Sequence, residues 1–208
     1  MILIGQYDSP FVRRIGIALT LYGIAFEHWP WSTFGDADKL REYNPLTRVP
    51  TLVLDGGEVL IETSAITDYI DGLVPVERRL FSVQQPERYR AMRVVGLASG
   101  LSDLAVRLFY EKVLHKTPSD VMVERLLTQL GAGLAVLEGE RADSASPYWF
   151  GETIGYADIA VAAALRHMKE AHPGLADSAD YPALIAFSDK LEQLPAFQKV
   201  SQVFIPPA

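Results

Sequence analysis

The sequence predicts a chain of two parts, a small α/β domain followed by an all-α helical domain. Short apolar runs alternate with helical patterns over the first 77 residues, a stretch rich in proline and arginine follows, and helical periodicity dominates the remainder. We therefore place the α/β domain at residues 1–77, a linker at 78–86 and the helical domain at 87–208. The chain has 208 residues and 49% hydrophobic content, which is ample for packed cores of this size.

The N-terminal domain opens with a strand that turns into a helix. An apolar run at residues 2–4 precedes Ser9 and Pro10, where Ser9 can cap a helix and Pro10 can occupy its first position. Gly23 stands where a helix commonly ends. A second strand is predicted at residues 25–29, and a weak helix at 36–43 ends before the Asn44-Pro45 pair.

The rest of this domain is predicted to be a hairpin and a helix. Apolar runs at residues 51–54 and 59–61 flank an Asp-Gly turn signal at residues 55 and 56. A helical pattern follows and ends at Gly72. The resulting order, β-α-β-α-β-β-α, fits a small mixed sheet that is covered by helices.

The C-terminal part shows apolar residues at steps of three and four, which predicts two long helices packed face to face. They are Val94, Leu97, Leu101, Leu104 and Leu108, then Val123, Leu127, Leu130, Leu134 and Leu137. Ser119 is the expected N-cap of the second helix. A later alanine-rich helix should begin at Gly155, with Asp158 supplying one half of a capping box, and should lie at the centre of the domain. A GxxxG pattern at Gly96 and Gly100 suggests close helix contact within the bundle.

Composition excludes several classes of function. The net charge is −7, which makes nucleic acid an improbable partner. The chain contains no cysteine, so any thiol chemistry must use an imported thiol. The N-terminus lacks the features of a signal peptide, and no apolar run approaches the roughly 18 residues of a membrane span. We expect a soluble cytoplasmic protein without a membrane partner.

Three short motifs lie where a predicted strand meets a helix or a turn. They read Ser9-Pro10-Phe11-Val12-Arg13-Arg14, Asn44-Pro45-Leu46-Thr47-Arg48-Val49-Pro50-Thr51-Leu52 and Glu62-Thr63-Ser64-Ala65-Ile66. With these motifs the chain resembles, over nearly its whole length, the glutathione S-transferase superfamily, and most of all its bacterial branch with an S-P-F-x-R-[KR] opening. Three mild departures are Thr47 for the usual Gly, Arg48 for Lys and Thr63 for Ser.

The resemblance implies a glutathione transferase fold with a thioredoxin-like N-terminal domain. It also implies glutathione as co-substrate, a homodimer and a role in detoxification. Ser9 would donate a hydrogen bond to the glutathione thiolate at a helix N-terminus, where the helix dipole favours negative charge. Tyr7 is the rival donor, because several classes of the family use a tyrosine. The competing interpretation, favoured when the other motifs are left aside, is that Ser9 only caps the helix.

The glutathione-binding residues implied by the resemblance are Arg48, Val49, Glu62 and Thr63. Arg48 would meet the glycyl carboxylate, and the backbone of Val49 would pair with the cysteinyl residue across a cis Val49-Pro50 bond. The Glu62 carboxylate would pair with the ammonium of the γ-glutamyl end of glutathione. Thr63 would bind the carboxylate at the same end. The competing interpretation makes Thr63 or Ser64 the N-cap of a helix and Glu62 a surface charge.

The electrophile pocket is predicted to combine one residue of the opening helix with residues of the helical domain. The candidates are Phe11, Leu104, Arg107, Leu108 and Tyr110, although core packing is the usual role of such positions. Arg13 could face the ligand or bind carboxylates of the second domain, and Asp103 could reach across a dimer interface. The four histidines show no metal-binding spacing, so we assign no metal.

These observations predict a glutathione S-transferase that stabilises the glutathione thiolate for attack on a small-molecule electrophile. A serine in place of a cysteine favours conjugation over disulfide exchange, because serine cannot form a mixed disulfide. The alternatives are a glutathione-dependent reductase, dehalogenase or isomerase, and a non-catalytic binding or regulatory protein of the same fold.

Overall fold

The computed structural model of the protein describes residues 1–206 and consists of two compact units. The first unit combines residues 1–83 with the segment that starts at Leu194, and the second unit holds residues 84–193. The division after Val83 lies inside the linker expected from the sequence. The C-terminal segment differs from the expectation, which assigned it to the helical domain. Among residues 1–206, no helix is long and apolar enough to span a membrane.

The predicted fold is confirmed in both units. The first unit contains β1 (Ile2–Ile4), α1 (Pro10–Tyr22), β2 (Glu27–Trp29), α2 (Ala37–Arg41), β3 (Thr51–Val53), β4 (Val59–Ile61) and α3 (Thr63–Gly72). The second unit contains α4 (Glu87–Leu114), α5 (Asp120–Ala142), α6 (Tyr156–Ala171) and α7 (Pro182–Glu192). A short α8 (Pro195–Lys199) belongs to the C-terminal segment of the first unit.

The first unit is built on a four-stranded sheet in the order β2-β1-β3-β4. β1 runs parallel to β2 and antiparallel to β3, and β3 forms the predicted hairpin with β4. α1 and α3 pack against each other and against the sheet. The α2 side of the sheet is closed by Ile4, Leu40 and Val53. Stacked or tilted aromatic rings of Trp29, Trp31 and Tyr43 pack against that cluster.

The register of the sheet gathers three chain segments at one edge. Ile4 pairs with Thr51, and Thr51 pairs with Ile61. The residue after β1, the residues before β3 and the residue after β4 therefore leave the sheet at the same edge. The sequence motifs that begin near Ser9, Arg48 and Glu62 all start from that edge.

Both ends of α1 are formed by the residues that the sequence predicts. Ser9 is the N-cap, Pro10 is the first helical residue, and Gly23 ends the helix with φ 70°. The Gly23 N–H bonds back to the carbonyl groups of the last turn. Because these signals are local, the sequence alone places the helix start beside the first strand.

Arg13 explains why the C-terminal segment belongs to the first unit. Its guanidinium is buried and donates to the carbonyl oxygens of Val200 (2.9 Å, from Nε) and Phe197 (3.2 Å, from Nη2). Its charged group also lies 5.8 Å from the centre of the Phe197 ring. Arg13 therefore holds α8 and the following turn against α1.

The second unit contains the predicted pair of long helices, α4 and α5, which pack against each other. The buried face of α5 differs from the prediction by one residue, because Leu126 is buried and Leu127 is exposed. The GxxxG interpretation is wrong within the described chain, since a Cβ at Gly96 or Gly100 would meet no atom within 4 Å. Close helix approach occurs instead at Gly133 of α5, where a Cβ would lie 2.8 Å from Leu101.

The start of α6 is held by Asp158, as the capping pattern predicts. Its two carboxylate oxygens accept hydrogen bonds from the N–H groups of Trp149 (2.7 Å) and Gly155 (2.6 Å). Gly155 is the N-cap and contributes no side chain, so only one half of the capping box is present. Burial raises the pKa of Asp158 to about 6, despite these two donors and the nearby charge of Arg141.

Replacing Asp158 with alanine should lower the free energy of unfolding by about 2 kcal/mol near pH 4.5, because two backbone donors lose their acceptor. The folded-state pKa of about 6 lies above the ordinary value of 3.8. The stabilisation by Asp158 is therefore complete at low pH and is lost as the pH rises through about 6. Urea unfolding at pH 4.5 and 7.5 should give a smaller difference at the higher pH. The exposed Asp143, changed to alanine, is the control, and a difference that grows with pH would contradict this account.

Candidate functional site

Ser9 lies at the start of α1 with its hydroxyl turned to the helix backbone. Its Oγ accepts hydrogen bonds from the N–H groups of Phe11 (3.3 Å) and Val12 (3.4 Å). A hydroxyl has two acceptor sites and one donor, so these contacts leave its hydrogen available for an anion. The capping role and a donor role for Ser9 are therefore compatible.

Gly5 brings the opening turn and the loop before β3 into contact. Its φ is 128°, a conformation that residues with a side chain rarely adopt. A Cβ at this position would lie 2.5 Å from Cγ2 of Val12 and 2.8 Å from Cβ of Val49. Val12 belongs to the first turn of α1, and its N–H donates to Oγ of Ser9. Val49 therefore lies next to the turn that carries Ser9. The sequence analysis did not single out Gly5, although a glycine directly after a buried strand is a usable signal.

The loop before β3 is organised by the buried side chain of Asn44. Its amide nitrogen donates to the carbonyl oxygen of Arg48 (2.9 Å) and to Oγ1 of Thr51 (3.1 Å), while its amide oxygen accepts from the Leu46 N–H (3.0 Å). The sequence analysis named Asn44 as a helix boundary and as the first residue of the second motif, but gave its side chain no role. The Val49-Pro50 bond is cis, as expected. Among residues 1–206, the backbone groups of Val49 form no hydrogen bond outside regular secondary structure.

Thr47 adopts a left-handed conformation in this loop, with φ 52°. A β-branched residue is strained there, whereas glycine is not. The departure from the usual glycine at this position therefore has a structural cost. The neighbouring Arg48 is exposed, and its guanidinium forms no ion pair with the described part of the chain.

Changing Thr47 to glycine should raise the free energy of unfolding by about 0.5–1 kcal/mol, because relief of the left-handed strain exceeds the added freedom of the unfolded chain. Thr47→Ala removes the branch but keeps a Cβ, so it should recover less. Urea unfolding of the three proteins measures both differences. A Thr47→Gly protein that is less stable than the wild type would show that the strain is not relieved.

Glu62 and Thr63 lie at the junction of β4 and α3. Glu62 is the N-cap residue of α3, with φ 75° and ψ 127°, and it forms no side-chain cap. Thr63 is the first helical residue and is buried, so neither Thr63 nor Ser64 has the N-cap role that the competing interpretation assigned. Strained backbone that the surrounding structure maintains is often associated with ligand binding. The exposed Glu62 carboxylate lies beside an uncapped helix start.

The ring of Tyr7 packs away from the start of α1. Its ring stacks on His28 with centroids 3.8 Å apart. A Cβ at Gly16 would lie 2.9 Å from Cε1 of Tyr7, and Gly16 is seven residues after Ser9, about 10 Å along the helix. Burial raises the pKa of the Tyr7 phenol to about 12. The tyrosine is therefore packed beside the second turn of α1 and keeps its proton.

The residues predicted for the electrophile have unequal environments. Phe11 is half-buried on the first turn of α1 and lies 5.1 Å from the Arg14 guanidinium. In the second unit Leu108 is completely buried, which is the environment of a core residue and not of a ligand contact. Arg107 is exposed on α4 and lies 3.9 Å from the Asp103 carboxylate.

Two remaining candidates, Leu104 and Tyr110, lie on α4, half-buried and exposed, respectively. Among residues 1–206, no group of three or more histidines and acidic residues is arranged to hold a metal ion.

A β-α-β-α-β-β-α unit with a cis-proline before β3, followed by a helical unit, defines the class of a thioredoxin-like domain joined to an all-helical domain. Residues 3–78 match the N-terminal domain of glutathione S-transferases, and residues 122–190 match the C-terminal domain. The chain belongs to the glutathione S-transferase family.

Similar proteins cover almost the whole chain. The GST-like protein YibF of Escherichia coli (strain K12) is 27% identical, over 96% of this chain and 97% of its own length. A probable maleylacetoacetate isomerase of Drosophila melanogaster is 26% identical, over 95% of this chain and 79% of its own length.

Solved structures of the family carry glutathione or its derivatives. A glutathione S-transferase from Methylobacterium radiotolerans, in complex with glutathione sulfonate, matches with a TM-score of 0.90 and 26% identity, over 100% of this chain and 98% of that one. A family member from Pseudomonas fluorescens Pf-5 with bound glutathione has a TM-score of 0.83 and 28% identity, over 100% of this chain and 99% of that one.

Proposed function

We propose that the protein is a glutathione transferase of the serine type, which ionises glutathione beside Ser9 and directs its sulfur to an electrophilic carbon. The observation that carries this proposal is the common sheet edge at which the opening turn, the Val49 loop and the strained Glu62 meet. Family membership and the glutathione complexes of similar proteins support the same ligand.

The dimensions of this edge suit an extended tripeptide. Neighbouring strands lie about 4.8 Å apart, so the step from β1 through β3 to β4 spans about 10 Å. Three extended residues also reach about 10 Å. Glutathione lying along the edge would therefore place its cysteinyl residue beside Val49 and its γ-glutamyl end beside Glu62.

The chemistry of each contact follows from this placement. Glu62 offers a carboxylate to the ammonium, and Thr63 with the free N–H groups of α3 suits the γ-glutamyl carboxylate. The backbone of Val49 would pair with the cysteinyl residue, and the exposed Arg48 would meet the glycyl carboxylate. Both ends of the tripeptide would be bound, and its sulfur would be fixed between them.

In this arrangement Ser9 is a better hydrogen-bond donor to the thiolate than Tyr7. Its hydroxyl lies at the N-terminus of α1, where the helix dipole and the donated hydrogen bond both favour the anion. Tyr7 packs against Gly16 and His28 instead. The thiolate would then form a carbon–sulfur bond, and the leaving group would depart with its electron pair in a substitution.

The electrophile is a small molecule, and Phe11, Leu104, Arg107 and Tyr110 remain its predicted contacts. A homodimer, a cytoplasmic location and a role in detoxification are parts of the same proposal. A glutathione-dependent isomerase is the second candidate, and the similarity to maleylacetoacetate isomerases favours it specifically. Both activities would need the same bound thiolate.

Calorimetry at pH 7 tests the proposal at the level of the thiolate. Glutathione should bind and release up to one proton, because its thiol, with an ordinary pKa of about 8.5, ionises in the site. The analogue with alanine in place of cysteine should bind without that release. Turnover of a chlorinated nitroaromatic then separates a transferase from a carrier. If glutathione does not bind at millimolar concentration, the proposed function is wrong.

A further inference from the structure

The turn that precedes Ser9 is held by the segment that follows α8. The Ser9 N–H donates to the carbonyl oxygen of Gln6 (3.2 Å), so Tyr7 and Asp8 are the two central residues of a tight turn. The Tyr7 N–H donates to Oε1 of Gln202 at 3.1 Å. The Asp8 carboxylate accepts from the N–H of Ile205 at 3.0 Å. Both central residues are therefore bonded to the C-terminal segment.

That segment is itself firmly attached to α1. Arg13 donates to the carbonyl oxygens of Phe197 and Val200, and both residues are buried. Val200 also fills the space beside Gly16, where a Cβ would lie 2.8 Å from its Cγ1. Gln202 follows Val200 by two residues, so the backbone that carries its side chain is anchored to α1.

The turn sets the direction in which the chain enters Ser9. The hydrogen bonds from the Phe11 and Val12 N–H groups fix Oγ of Ser9 relative to the first turn of α1. The peptide planes of Tyr7 and Asp8 fix the direction from which the chain enters the helix. The half-buried N–H of Tyr7 has Gln202 as its acceptor, and loss of that acceptor would allow these planes to rotate.

We propose that Gln202 is a positioning residue, which aligns the Ser9 hydroxyl with the glutathione sulfur by holding the Tyr7-Asp8 turn. This inference rests on the proposed function. It assigns a role in thiolate stabilisation to a residue outside the proposed glutathione-binding and electrophile-binding residues. Because alignment errors well below 1 Å reduce catalysis, the effect should appear in the rate and in the thiol pKa.

Gln202→Leu removes the acceptor and keeps a side chain of similar size. We expect kcat to fall about tenfold and the pKa of bound glutathione to rise by about half a unit, with KM for glutathione within about twofold. Gln202→Glu keeps an oxygen acceptor and should restore kcat to within about threefold of the wild type. Gln198→Leu, an exposed glutamine in the same segment, is the matched control and should leave all three quantities unchanged.

The outcomes distinguish this inference from the proposed function. An active wild type with unchanged kcat and thiol pKa in Gln202→Leu would overturn the positioning role alone, even if the melting temperature fell. A wild type that does not bind glutathione would overturn both. Hydrogen exchange in the wild type provides a check that needs no variant, because the contact requires a protected Tyr7 amide. Exchange of that amide at the rate of an unprotected one would overturn the inference.

Discussion

Ser9→Ala should reduce the rate of conjugation about 10²-fold, while the affinity for glutathione changes little. Removal of one preorganised donor to a developing or bound anion typically costs about 10²–10³-fold in rate. The tripeptide would still be bound by Arg48, Val49 and Glu62, so the dissociation constant of glutathione should stay nearly unchanged. Steady-state kinetics together with calorimetry measure the two quantities separately.

The same substitution also removes the cap of α1, and two controls separate that effect. Loss of a serine N-cap to alanine costs about 1 kcal/mol, whereas glycine at the same position costs only a few tenths. Ser9→Gly should therefore be nearly as stable as the wild type and as inactive as Ser9→Ala. Tyr7→Phe should stay within about threefold of the wild-type rate, because its phenol packs beside Gly16. A larger rate defect in Tyr7→Phe would transfer the thiolate role to the tyrosine.

Gly5→Ala should be the most destabilising single change at the site, with a loss of more than about 3 kcal/mol in the free energy of unfolding. Two costs combine. Alanine is strained at φ 128°, and its Cβ would overlap with side-chain atoms of Val12 and Val49 at 2.5 and 2.8 Å. Relief of that overlap would separate the Val49 loop from α1, so the fraction that folds should bind glutathione weakly.

Gly151 provides a matched control for this prediction. Its φ is 126°, almost the same as that of Gly5, but a Cβ there would meet no atom within 4 Å. Gly151→Ala should therefore report the backbone strain alone, about 1–2 kcal/mol, and leave glutathione binding intact. Urea unfolding and calorimetry of both variants test the comparison. Equal losses of stability would mean that the contact between α1 and the Val49 loop contributes nothing.

Sequence reasoning succeeded where the signals are local. Ser9 with Pro10, and Gly23, predicted the two ends of α1, because capping depends on residues within one turn. Ser119 likewise caps α5 through the N–H of Met122. The hairpin between β3 and β4 followed from its Asp-Gly turn.

The features that it missed depend on tertiary contacts. Gly96 and Gly100 match a spacing for helix contact, but only the packing of α4 on α5 decides that Gly133 provides it. The bonds from Arg13 to Val200 and from Tyr7 to Gln202 join positions 187 and 195 residues apart. No local periodicity reports such pairs, so the sequence alone placed the segment that starts at Leu194 with the helical domain, whereas its contacts group it with the first unit.

The return of the C-terminal segment to the first unit has a consequence for biosynthesis. The N-terminal domain cannot complete its contacts when residues 1–83 leave the ribosome, because Phe197, Val200 and Gln202 are translated only after the whole helical unit. At about 5–20 residues per second, the nascent domain waits many seconds for them. The helical unit is synthesised during that delay, so the opening turn gains its bonds to Gln202 and Ile205 only after residues 84–193 have been made.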